Sequence, residues 1–252
     1  MKTYEKFLEY YDEIVRGMNS SLEDEIDFLK YDVIENYLSE TKNILELACG
    51  TGTVAKELIK SGFSYTGLDI NQNMLAKAEK NLNSLNKGNT DGFKLILGDM
   101  TNFDLKKEFD LILCNYNSIC HLLSWEDWQK FFKNSYNHLK KGGLLVFDIN
   151  TIFEFENITR DFAQFYNFGE NTVCLEMFKK GKVYEWLIKI FEKQDSGDYK
   201  LFEEVVREVS FPINAIKKEL QKNNFEILEI IDYHYGQLTD QSERVYFICK
   251  KK

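Results

Sequence analysis

The chain has 252 residues, 44% hydrophobic and 29% charged, with a formal net charge of −9 from 32 basic and 41 acidic side chains. That length suits one large domain on a prior of ~100–200 residues per domain, buries enough apolar surface to fold without disulfides or a structural metal, and excludes disordered and collagen-like chains. No apolar run approaches the ~20 residues of a membrane span, and the opening MKTYEKFLEYYDEI is charged throughout, so neither a membrane segment nor a secretory leader is expected and the location is read as cytoplasmic.

The first forty residues carry Tyr, Glu, Leu and Ile at helical spacing and predict two helices, roughly 4–17 and 22–38. NILELA, from residue 43, reads as a strand running into a glycine-rich turn, and TVAKELIKSG as a helix closed by Gly62. SYTGLDI is a second strand. Asn71 caps a helix to about Asn86, with Met74, Leu75, Ala78 and Leu82 on one face. FKLILGD and FDLILC are the third and fourth strands. Ser124, with Asp127 three residues on, opens a helix that ends in basic residues and Gly142-Gly143, and GLLVFDIN is the fifth strand.

Strand–helix alternation with near-continuous apolar strands is the pattern of a parallel sheet covered on both faces. After residue 150 the period changes to alternation, so 163–211 predicts a small antiparallel sheet of three or four strands. Pro212 opens a helix, and FEILEIIDYHYG and ERVYFICKKK predict two antiparallel strands closing the main sheet. The organisation expected is N-terminal helices over 1–40, a core of 41–152 and 212–252, and an inserted sheet over 153–211. The exposed edge of that inserted sheet offers a route to a homodimer.

Glu46-Leu47-Ala48-Cys49-Gly50-Thr51-Gly52-Thr53 is the most informative segment. Its glycines let a ligand approach the backbone, and the following helix starts with free N–H groups. Asp69 closes the second strand, where a carboxylate accepts hydrogen bonds from ribose hydroxyls. Gly50-x-Gly52-x-x-Ala55 also satisfies a dinucleotide fingerprint, which makes a nicotinamide-dependent oxidoreductase the rival reading. Against it, Glu46 sits at the strand end, where its charge repels a pyrophosphate and attracts a cation. Gly98-Asp99-Met100 after the third strand offers a carboxylate and a thioether to an adenine, and the chain ends in an antiparallel pair.

On ELACGTGT, GLDI, GDMTNFDL, FDLILCNYNSICHL and LKKGGLLVFDINT, over about residues 43–151, the chain resembles the class I S-adenosylmethionine-dependent methyltransferases. It is most similar to bacterial small-molecule members, among them N-methyltransferases of nucleotide-linked amino sugars, which share the ACGTGT turn, the GDM-x-x-F run and an antiparallel lid after the fifth strand. Ala48 stands where the generic pattern has its first glycine.

The resemblance implies an α/β fold: a Rossmann-like, doubly wound, seven-stranded, mostly parallel sheet with an antiparallel C-terminal strand and a small antiparallel β insertion. It implies S-adenosyl-L-methionine as cofactor, S-adenosyl-L-homocysteine as product, and the following roles. Glu46 and the turn Ala48, Cys49, Gly50, Thr51 and Gly52 hold the methionyl part. Asp69 binds the ribose, Ile70 and Met100 sandwich the adenine, Asp99 bonds its amine, and Met74 and Asn115 also contact the donor. Tyr11 closes over the carboxylate end, with Tyr4 and Tyr10 as alternatives in the same segment.

An acceptor nitrogen must be neutral before it attacks, which suits a base titrating near neutrality. His121, just beyond the fourth strand, is the candidate catalytic residue, alongside the alternative of an exposed or capping histidine. His138 is explained by its place at a helix C-terminus, and His234 is either structural or part of a pocket. The expected acceptor is a small molecule with an N or O nucleophile. Phe162, Phe165, Tyr166 and Phe168 suggest an apolar acceptor pocket under the inserted sheet.

NYNS stands where amino-methylating enzymes of adenine carry a double proline, and the single Pro212 is not followed by the cysteine that cytosine C5 enzymes need. With the acidic balance and no basic stretch beyond Lys250-Lys251-Lys252, this disfavours nucleic acid. The five cysteines (Cys49, Cys114, Cys120, Cys174, Cys249) form no CxxC pair and read as buried thiols, with no metal site expected. The remaining alternatives are an RNA or protein methyltransferase of the same fold, and a donor-binding protein without catalysis.

Overall fold

The computed structural model describes residues 4–18, 22–38, 40–84, 93–161, 163–232 and 236–252, so Phe162 and Tyr233-His234-Tyr235 lie outside the described residues. The main sheet is built from β1 (Asn43–Leu47), β2 (Ser64–Asp69), β3 (Phe93–Leu97), β4 (Phe109–Cys114), β5 (Leu139–Asn150), β10 (Phe225–Asp232) and β11 (Arg244–Lys251). Their order is β10-β11-β5-β4-β1-β2-β3, and β11 alone runs antiparallel to both its neighbours.

Period-two alternation sends successive side chains to opposite layers. Leu45, Leu47, Ile112, Leu145 and Phe147 pack with Trp128, Phe131 and Phe132 of α5 (Trp125–His138) and Ile216 and Leu220 of α7 (Ile213–Lys222). Ile44, Leu111, Leu113, Leu144 and Val146 meet Val54, Ala55 and Leu58 of α3 (Thr53–Lys60), and Leu75 and Leu82 of α4 (Gln72–Asn83). Both faces are therefore dry, which is why β4 is buried along its whole length and apolar from Leu111 to Cys114. Gly67 allows close approach within this sheet: a Cβ there would stand 2.7 Å from Cys49 Sγ.

Four further strands, β6 (Ala163–Phe168), β7 (Asn171–Lys180), β8 (Val183–Lys193) and β9 (Tyr199–Glu208), form a separate antiparallel sheet. It follows α6 (Ile152–Asp161), and its inner face buries Val173, Leu175, Ile188, Ile190 and Val206 against Phe7, Tyr10 and Ile14. That contact reshapes the N-terminus relative to the expected helix over 4–17. The Glu204 carboxylate accepts from the backbone N–H of Lys6 (2.6 Å) and Phe7 (2.9 Å), holding a 3-10 turn at Phe7–Glu9, and α1 begins only at Tyr11 and runs to Met18. The second expected helix is α2 (Leu22–Asp27) continued by a wider π-helical stretch, Phe28–Glu35, which buries Phe28, Leu29 and Val33.

Asn71 and Ser124 cap α4 and α5 as expected, Asn71 Oδ1 accepting from Asn73 N–H at 2.9 Å and Ser124 Oγ from Asp127 N–H at 3.1 Å. α5 nevertheless ends earlier than the glycines predict. Leu139 already pairs with Phe109, and Lys140 joins Asp110 at 2.6 Å, so the basic run belongs to β5. His138 is tied down at the helix end, its Nε2 accepting from Leu105 N–H at 3.1 Å. No helix among the described residues is long and apolar enough to cross a membrane.

Candidate active site

The turn after β1 takes three left-handed positions, Ala48 (φ +56°), Gly50 (+54°) and Gly52 (+73°). Only glycine adopts this conformation freely, so the sequence marks two of the three positions. Cys49 N–H bonds Leu68 O at 3.1 Å, anchoring the turn to β2. The Asp69 carboxylate accepts from Gly50 N–H and Asn71 N–H, each at 2.8 Å, and Gly98 N–H reaches Asp69 O at 2.9 Å. Three strand ends and the glycine turn thus form one rim. Burial raises the Asp69 pKa, against the lowering effect of those N–H bonds.

Glu46 points from β1 into this rim and is 4% exposed. Burial pushes its pKa up to about 8 despite the hydrogen bond it accepts from the Tyr65 hydroxyl. Asn115, just past β4, is buried with neither carboxamide atom partnered. Asp99 accepts from Thr101 N–H (2.7 Å) and its hydroxyl (2.8 Å). Ile70 projects from the end of β2 at 72% exposure, whereas Met100 is nearly buried. Met74 lies inside α4 as a core residue.

α1 lies over the turn. Asp12 accepts the Thr51 hydroxyl at 2.5 Å and pairs with Lys77 at 3.0 Å, and Lys77 also donates to Leu8 O at 2.8 Å. Beneath α1 is a cavity of about 40 Å³ lined by Tyr11, Glu46, Ala48, Cys49, Gly50, Thr51 and Tyr116, among others. Gly52, Asp69, Ile70, Met74, Asp99, Met100 and Asn115 do not line it; apart from Met74 they stand around it on the turn and strand ends.

A larger cavity, of about 430 Å³, adjoins it under the second sheet and shares Tyr11, Val15 and Tyr116 as wall. His121, at the end of a 3-10 turn (Ser118–His121), lines it. Its Nε2 is 3.5 Å from the Tyr4 hydroxyl, and its Nδ1 is 3.3 Å from Arg207 O and 3.9 Å from Glu208 Oε1. Glu208 accepts from Trp186 Nε1–H at 2.6 Å, and burial raises its pKa against the effects of His121 and Trp186.

Tyr4 and Tyr11 meet edge to face at 5.5 Å on this wall, while Tyr10 turns away to Phe168 (4.9 Å) and Asn171 (3.1 Å). The expected aromatic lining from β6 needs correction. Alternation brings Tyr166 into the cavity, turns Phe165 outward at 66% exposure and spends Phe168 on Tyr10.

Glu208, Trp186, Tyr116 and Asn117 carry no local signal in the sequence. Glu208 reaches His121 because β9 runs into the turn after β4, with Val209 N–H bonding Cys120 O at 2.8 Å. Tyr116 (φ +57°) and Asn117 (φ +56°) are consecutive non-glycine residues in left-handed conformations, a strain of about 1–3 kcal/mol each. Buried Asp148 sustains them by accepting from Asn117 N–H (2.9 Å) and pairing with Arg244 (2.6 Å), whose guanidinium lies 5.5 Å from the Tyr116 ring.

The rim suits a cationic nucleoside. It offers a buried carboxyl and an unpartnered carboxamide at one end, carboxylates at the ends of β2 and β3, and an exposed aliphatic side chain between. A family model described as a methyltransferase domain matches residues 44–143. A protein of Geobacillus sp. (strain WCH70) with a provisional methyltransferase name is 28% identical over 253 residues, covering 99% of this chain and 100% of that one. The crystal structure of an S-adenosylmethionine-dependent methyltransferase from Clostridium acetobutylicum ATCC 824 is 28% identical and superposes with a TM-score of 0.85 over 99% of each chain. An S-adenosylmethionine-bound amino pentose methyltransferase from Micromonospora echinaspora shares the fold at 22% identity, with a TM-score of 0.75 over 96% of this chain and 97% of that one. These likenesses set the oxidoreductase reading aside: the chain belongs to the class I S-adenosylmethionine-dependent methyltransferases and uses S-adenosylmethionine as its cofactor.

Proposed function

We propose that the enzyme methylates an N or O nucleophile of a small molecule bound in the 430 Å³ cavity, with the methyl donor held at the glycine turn. The observation that carries this is the shared wall of Tyr11, Val15 and Tyr116, which sets an acceptor beside the donor site. Bound S-adenosylmethionine supplies a methyl group already activated on a sulfonium, so the protein's tasks are alignment, exclusion of water and removal of a proton. Residues 1–40 cover the donor, 41–152 with 212–252 form the core, and 153–211 roof the acceptor. Glu46 and the turn from Ala48 to Gly52 hold the methionyl part, Asn115 supports it, and Tyr11 closes over it, while Met74 packs in the core of α4. Asp69 holds the ribose diol, and Ile70, Asp99 and Met100 hold the adenine. The amino pentose acceptor of the Micromonospora enzyme and the net charge of −9 both favour a compact metabolite over nucleic acid, and the reading places the enzyme in the cytoplasm. A labelled-methyl screen over amines, alcohols and RNA tests it; label only in RNA refutes the small-molecule acceptor.

His121 takes the acceptor's proton. His121→Ala should cut turnover about tenfold or more while affinity for S-adenosylhomocysteine stays within about twofold; unchanged turnover removes His121 from the chemistry. A second expectation concerns Glu46. With its pKa near 8, Glu46 keeps its proton at pH 7 in the free protein, and the ligand's ammonium needs the carboxylate. Binding should therefore release close to one proton at pH 7 and fewer as the pH rises past 8, so affinity grows with pH through that window. Calorimetric heats in phosphate and Tris buffers measure this release, and its absence at pH 7 separates Glu46 from the ammonium.

A further inference from the structure

Resting on that reading, we propose that the acceptor is a compact amine that enters as an ammonium ion and carries no phosphate. The wall of the larger cavity presents the rings of Tyr4, Tyr11, Tyr116, Tyr166 and Trp186 together with two carboxylates, Glu154 and Glu208. Among the described side chains lining it there is no Lys or Arg. Aromatic faces and carboxylates attract a cation and repel an anion.

Glu208 is the strongest feature. It is 6% exposed, accepts from the Trp186 N–H and lies farther from His121. A buried carboxylate is costly until a full positive charge joins it. Glu154, at the start of α6, is also raised by burial, to about 7, with Glu243 adding to the effect. A third acceptor stands on the same wall: Asn117 is 9% exposed and its Oδ1 is buried with no partner. Three acceptors and no strong cationic donor match a ligand rich in N–H groups. A nucleotide-linked sugar would bring a diphosphate, which calls for Lys, Arg or a helix N-terminus facing it. Inside the site the ammonium gives its proton to His121, the N–H electron pair stays on nitrogen as the attacking lone pair, and the resulting imidazolium is stabilised by Glu208.

The experiment is calorimetry on the full chain saturated with S-adenosylhomocysteine, using benzylamine, benzyl alcohol, benzoate and thymidine diphosphate as probes. Benzylamine is expected to bind at least tenfold more tightly than benzyl alcohol, with no measurable binding of benzoate or thymidine diphosphate. Glu208→Gln, which keeps an acceptor for Trp186, should erase the preference for the amine. If that variant melts early, Glu154→Gln should reduce the same preference at least threefold. An amine that binds no better than its alcohol, a bound benzoate or diphosphate, or a preference that survives in both variants overturns the proposal. Loss of S-adenosylhomocysteine binding by the unmodified protein would instead overturn the donor-site reading, so the two failures are distinguishable.

Discussion

Arg244→Ala is expected to lower the unfolding free energy by about 3–5 kcal/mol, a large part of the ~5–15 kcal/mol that holds a typical domain together. Arg244 is 5% exposed, joins Asp148 at 2.6 Å and lies 3.6 Å from Glu25, both carboxyls being buried. Removing the guanidinium leaves Asp148 with the Asn117 N–H and Glu25 with the Tyr246 hydroxyl at 2.6 Å.

The loss should depend on pH. Burial raises the Glu25 pKa from 4.5 to about 7, while Arg244 and Tyr246 pull it down. Its folded value lies above its unfolded one, so its contribution is fully favourable below about 4.5 and is lost as pH rises through 7. Without Arg244 the folded pKa climbs further, so urea denaturation should show a larger deficit at pH 8.5 than at pH 5.5. A deficit under 1 kcal/mol at both would contradict this account. Because Asp148 also supports the strained Tyr116-Asn117 turn, methyl transfer in the variant should fall even below its melting point.

Asp69→Ala is the second large effect: affinity for S-adenosylhomocysteine should drop about 100-fold. Two hydroxyl bonds to a charged acceptor are worth about 1.5 kcal/mol each in net, and Gly50 N–H and Asn71 N–H lose their shared acceptor as well. Asp69→Asn, which keeps one carbonyl oxygen, should fall about tenfold. The melting temperature should change little, because this carboxylate is itself held at a burial cost. Calorimetric titration reads both variants, and affinities within threefold of the unmodified protein would place the ribose elsewhere.

The contrast between Asp69 and Glu208 shows what was legible in the chain. Asp69 is readable because its role is local: a strand, a glycine turn and an acid at the next strand end follow within about 25 residues, and backbone geometry forces them together. The same applies to the seven-stranded sheet, whose buried strands have no choice but to be apolar on both faces, and to the caps at Asn71 and Ser124. Glu46 was readable as a carboxylate near the turn, but its raised pKa follows from neighbours that only packing supplies.

By itself, then, the sequence determined the sheet and the glycine turn, since these rest on short-range periodicity and on spacing, and its motifs carried the resemblance that implied the family. Only the tertiary structure decided what faces the acceptor. β9 carries Glu208 to His121 across 87 residues of chain, counting from residue 121 to 208, and the 3-10 turn at Phe7–Glu9 delivers Tyr4 to the same wall. Such contacts depend on how the second sheet packs against the first, and a strand reading EEVVRE looks the same in the chain whether its acids face water or a cavity.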